Sequence, residues 1–149
     1  MKKRLLQVSL ALAAILAIAQ FVRPDLSGPP IDQRRTIQAQ VGTSPALAAV
    51  LRRSCGDCHS SETVRPAWFT RVAPVSWVMA YAVREGRKAV NFSEWAAYPP
   101  DRQKSLLGLS CSDVSAGRMP GTYTTFRAET KLSTGDIETI CAAAQPQPR

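Results

Sequence analysis

The chain contains one histidine. It stands as His59 directly behind two cysteines, in the run Cys55-Gly56-Asp57-Cys58-His59. No other stretch constrains the fold as strongly. Residues three apart share a face of a helical turn. Two thiols at that spacing project together, and the imidazole that follows is carried just beyond them.

C-x-x-C-H is the attachment signature of c-type haem. Cys55 and Cys58 are spaced to reach the two vinyl groups of one porphyrin and form thioethers. His59 is then placed to bind the iron as proximal ligand. Three other uses compete for the cysteines. A Cys55–Cys58 disulfide suits an oxidising compartment. A zinc site needs a further ligand, which only Cys111, Cys141 or a carboxylate supplies. A thioredoxin-like pair wants a strand leading into the motif, and the flanking sequence does not offer one.

The compartment is indicated at the N-terminus. Lys2, Lys3 and Arg4 precede an almost wholly apolar stretch from Leu5 to Val22. That pattern is an export signal or a membrane anchor. Ala17-Ile18-Ala19 fits a cleavage site after Ala19. The apolar stretch is also close to the roughly 20 residues that span a bilayer, which favours a retained anchor. Either way the rest of the chain is expected outside the cytoplasm, in the periplasm. Leaving out the three N-terminal cations, the charge falls from +8 to about +5, spread thinly along the chain. No dense basic run points to nucleic acid. Redox partner proteins, with the membrane itself, are the expected partners.

Residues 1–22 thus form the signal or anchor. Residues 23–43, with Pro24, Pro29 and Pro30, read as an extended linker. Residues 44–145 read as the folded domain, and 146–149 as a frayed tail. Apolar residues make up 45% of the chain and charged residues 20%, as a globular unit requires. The patterning is helical. Ser44 and Pro45 mark an N-cap and first helical position, leading through Leu47, Val50 and Leu51 into Cys55. A second helix is expected over Val75–Arg84, after Pro74 and stopped by Gly86. A third follows Pro99-Pro100, is capped by Asp101 and ends at Gly117. The last opens on Ser133 and Asp136, a capping box flanked by Leu132 and Ile137. The expected class is all-α, a small cytochrome c-like domain around one covalent haem c.

With no second histidine, a sixth iron ligand must be of another kind. Met79 lies mid-helix, where a core role is the default. Met119 sits between Arg118 and Pro120, flanked by Gly117 and Gly121, beyond the end of a helix. It is the better candidate. His/Met ligation fills both axial sites and raises the potential.

The stretch running from CGDCH through RPAWF, APVSW, EGR and NFSEW to GRMP resembles the haem-binding domain family. These are small, exported, often N-terminally anchored single-haem proteins. The resemblance covers about residues 22–140, and the APVSW and NFSEW runs carry most of it. It implies a class I-like cytochrome c fold, haem binding and electron transfer. Ala67, between Pro66 and Trp68, departs from the pattern. So do Cys111 and Cys141, which lie in expected helices and suggest a disulfide outside the cytoplasm. Trp68, Pro74, Trp77, Tyr81 and Trp95, with Tyr98, are candidates for the haem pocket. Arg71, Arg87 and Arg118 are candidates for pairing with propionates. An electron carrier is the favoured function. A haem enzyme or gas or redox sensor, with a displaceable sixth ligand, is the alternative.

Overall fold

The protein is described by a computed structural model covering residues 1–40, 43–63 and 68–145, the side chains of 68 and 69 apart. All regular structure among the described residues is helical. In chain order the α-helices are α1 (Lys2–Ala19), α2 (Ile37–Gln40), α3 (Pro45–Val50), α4 (Gly56–His59), α5 (Val75–Ala89), α6 (Pro100–Ser115) and α7 (Thr134–Ala143). A π-helical turn, Leu51–Cys55, joins α3 to α4. Short 3-10 turns fill several of the connections.

The core lies where α3, the π turn, α6 and α7 meet. Leu47, Val50 and Leu51 pack there with Leu106, Val114 and Ile140, and Phe92 and Trp95 enter from the loop after α5. Local signals place the ends. Ser44 Oγ accepts from Leu47 N at 3.2 Å, with Pro45 in the first turn. Ser133 and Asp136 form the expected capping box on α7. Pro100 opens α6, and Gly117, at φ +69°, follows its end in a conformation that only glycine adopts freely. Cys111 and Cys141 are joined as a disulfide, with Cα atoms 4.7 Å apart, clamping α6 to α7.

Three expectations differ from the structure. Asp101 does not cap α6: it lies inside the first turn, behind Pro99 and Pro100, and no side chain caps that end. The helix starting at Val75 does not stop at Gly86 but continues to Ala89. Gly86 has another role. A Cβ there would lie 2.5 Å from the Cys58 carbonyl oxygen, so the missing side chain lets α4 lie directly on α5.

Nor is the 23–43 segment an extended spacer. Ile37 is wholly buried in the core, and Arg35 pairs with Glu94 at 2.8 Å. Arg87 donates to the carbonyls of Leu26 and Ser27. Scattered apolar residues and an arginine on the domain are enough to draw a proline-containing segment onto its surface. Burying one isoleucine contributes about 1.5–3 kcal/mol. α1 has no buried residue. No helix among the described residues is long and apolar enough to cross a membrane. Three of the 18 residues of α1 are its leading cations.

Candidate functional site

The π turn and α4 carry the C-x-x-C-H run against a cavity of about 250 Å³. Cys55, Cys58 and His59 line it on one side. Leu106, Leu109 and Val114 of α6 and Ile140 of α7 supply an apolar wall. Val90 and Phe92, just after α5, add to it, and Met119, Pro120 and Tyr123 come from the loop beyond α6. That loop is bracketed by Gly117 and Gly121, both in the left-handed region at φ +69° and +57°.

Each donor is prepared differently. Burial pushes the His59 imidazole below its ordinary pKa, which keeps it neutral. Its Nδ1 lies 3.2 Å from the Val90 carbonyl oxygen. A carbonyl only accepts, so Nδ1 carries the proton and Nε2 keeps a free lone pair, the tautomer a metal requires. Cys55 and Cys58 are free thiols. Burial drives their pKa values up to about 12 and about 11, with the neighbouring Cys58 thiol and Asp57 carboxylate adding to the respective shifts. Met119 is 45% exposed at the rim of the cavity.

Asp57, within the motif, organises the surroundings. Its buried carboxylate accepts from the Tyr123 hydroxyl at 2.6 Å and from Arg127. Arg127 also donates to Glu129 at 2.7 Å. The segment after the Met119 loop is thereby tied to the turn that bears the cysteines. Burial, then the bond to Asp57, raises the Tyr123 hydroxyl well above the ordinary phenol value, so it stays a donor. Arg53 pairs with Asp136 at 2.8 Å, fixing the π turn to the start of α7.

A model of the haem-binding domain family matches residues 14–145. The chain belongs to that family. No curated protein and no solved structure matches it. The lining of the cavity suits a haem chemically. Two thiols, a neutral imidazole and a thioether line one largely apolar space. Ser54 also lines it, with a buried hydroxyl that lacks a protein partner. Of the further ligands a zinc site would need, Cys111 and Cys141 are bonded to each other, and among the described residues no group of three or more His, Cys, Asp or Glu side chains is arranged for a metal ion.

The aromatic candidates for the haem pocket divide. Trp95 is wholly buried in the core behind Phe92, 6.3 Å away between ring centres, and does not reach the cavity. Phe92 is the aromatic wall instead, 5.8 Å from the His59 ring. Tyr98 packs edge-on against Trp95, and its hydroxyl accepts from Asn91 N. Pro74, Trp77 and Tyr81 lie at the start and on the outer face of α5, away from the cavity. Residues 64–67, with Pro66 and Ala67 of the family run, lie outside the described residues, and so does the Trp68 side chain. Met79 is buried on the inner face of α5 and does not line the cavity. Among the cations, Arg87 is spent on backbone carbonyls and Arg118 on Asp113. Arg71 is exposed and not among the cavity residues. Arg102, which no sequence pattern singles out, lines the cavity.

The family runs become intelligible residue by residue. In Asn91–Trp95, Asn91 caps a 3-10 turn, Phe92 walls the cavity and Ser93 Oγ accepts from Ser61 N at 3.0 Å. In Ala73–Trp77, Ala73 N and the Trp77 indole hold Gln20 and Val22 of the N-terminal segment.

Proposed function

We propose that this haem-binding domain is an exported, membrane-held monohaem c-type cytochrome that carries electrons. Cys55 and Cys58 would bear the two thioether links, and His59 and Met119 would be the axial ligands. The observation that carries the reading is the shared cavity. Both thiols, the imidazole and the Met119 sulfur side chain line it, while Met79 does not. When bound, a haem supplies one-electron exchange between ferric and ferrous iron. The chain's own residues do the rest. The Val90 carbonyl orients His59. The apolar walls exclude water and favour the less charged reduced state. Arg102 offers a cation to a carboxylate at the cavity edge. The cationic start and apolar run of α1 support export and retention at the membrane.

The test is a pyridine haemochrome assay and spectrum on protein matured with haem c, beside Met119→Ala and Met79→Ala. The expected result is one haem per chain that acid acetone does not extract. The sulfur-to-iron charge-transfer band should vanish only in Met119→Ala. Extractable pigment would overturn covalent attachment, and a band lost only in Met79→Ala would overturn the ligand assignment. Met119 is exposed and held between two glycines, which gives a sensor with a displaceable ligand its one specific support. Rapid, complete carbon monoxide binding by the ferrous protein would favour that reading over electron transfer.

A further inference from the structure

Helix α5 has two opposite characters. Ser76, Met79 and Val83 are buried, and Gly86 rests on Cys58. On the other side Trp77, Val78 and Tyr81 are 39%, 63% and 61% exposed, a solvent-facing apolar and aromatic patch on a helix of a small domain. The N-terminal segment leaves the domain at this patch. Gln20 bonds both the N–H and the carbonyl of Ala73, at 2.9 and 3.4 Å. The Trp77 indole N–H donates to the Val22 carbonyl at 2.9 Å. The large apolar side chains of α1 and Phe21 are exposed, and α1 ends at Ala19, directly before Gln20. Arg84 lies over the Tyr81 ring at 5.9 Å, at the margin of the patch.

We infer that the outer face of α5 is a membrane-docking surface. The domain lies against the bilayer that receives α1, with Trp77, Val78 and Tyr81 at headgroup level. Tryptophan and tyrosine with flanking cations are the side chains that settle at that boundary, ring in the apolar layer and polar tip in the wet one. Lipid is the occupant because the patch is joined to an exposed apolar helix of the same chain through its own hydrogen bonds. A short tether of this kind cannot let the domain swing free. The C-x-x-C-H turn packs on the opposite face of α5, so the cavity is turned away from lipid toward partners in the aqueous space.

This inference rests on the anchor reading, and its test separates the two. Spin labels are placed singly in the full-length holoprotein at Val78→Cys, at Leu12→Cys in α1 and at Lys104→Cys on α6. The protein is reconstituted in vesicles of phosphatidylcholine and phosphatidylglycerol. Relaxation by oxygen is compared with relaxation by a water-soluble nickel chelate. The expected oxygen-to-nickel ratio at position 78 is several-fold that at position 104, approaching the value at position 12. A low ratio at 12 would overturn the anchor itself. A high ratio at 12 with equal, low ratios at 78 and 104 would overturn docking alone. A label at 78 shielded from both reagents would also overturn it, assigning the face to a second protein copy.

Discussion

Gly86→Ala and Gly108→Ala form a paired experiment on the contact beneath the cysteines. Both glycines lie inside helices, Gly86 in α5 and Gly108 in α6. Helix propensity alone favours alanine at each by about 1 kcal/mol. At Gly108 a new Cβ meets nothing within 4 Å, so the full gain of up to about 1 kcal/mol is expected. At Gly86 it would lie 2.5 Å from the Cys58 oxygen, 3.0 Å from its carbon and 3.1 Å from its Cβ. Two of these are backbone atoms, which cannot rotate aside. The α4 turn would have to retreat by about 1 Å to recover an ordinary contact of ~3.5 Å. Overpacking of that kind costs about 1–3 kcal/mol, with more where backbone must shift. The net expectation is a loss of about 1–2 kcal/mol for Gly86→Ala. The two variants should therefore move in opposite directions, separated by about 2–3 kcal/mol. Guanidinium denaturation of both, followed by far-ultraviolet circular dichroism, measures this. Equal stabilisation by both alanines would refute the close approach of α4 to α5.

Asp57→Asn removes the charge that faces Arg127, in a pair whose side chains are only 8% and 19% exposed. Arg127 keeps Glu129, so the expected loss is about 2–3 kcal/mol rather than that of a fully stranded buried charge. Chemical denaturation checks it, and Tyr123→Phe should cost less. Replacing Cys111 and Cys141 together by alanine opens a 30-residue loop and should lower stability by about 3–4 kcal/mol, seen as a lower Tm. The Asp136 carboxyl is held below its ordinary pKa by the backbone N–H of Ser133, then by the Ser133 hydroxyl and Arg53. Its contribution is therefore present above the ordinary aspartate pKa and is lost as pH falls through the lowered value. Asp136→Asn should flatten the acid limb of a stability–pH curve and leave its shape above pH 6 unchanged.

Much of the scaffold was legible because local chemistry determines it. The Ser133/Asp136 box and the Ser44-Pro45 start are short-range devices whose partners lie within one turn. The C-x-x-C-H run is likewise complete within five residues, and its three donor side chains line one cavity. The walls of the cavity were less legible. Phe92 and Tyr123 sit in irregular 3-10 turns, where no periodicity marks an inward face. Trp77 and Tyr81 read as pocket residues because aromatic content carries no direction. Only the packing of α5 shows that they point outward. Gly86 read as a stop because a clash with a residue 28 positions away leaves no trace near it in the sequence. Ile37 was hidden among prolines and polar residues, and only its neighbours in space make it core.

Ile37 has a practical consequence for anyone cutting the gene. A shortened protein beginning at Ser44, the natural choice from patterning, would lack the plug for its own interior and leave the Arg87 guanidinium without two carbonyl acceptors. A truncation meant to remove α1 should instead begin near Arg23, ahead of the strap that finishes the fold.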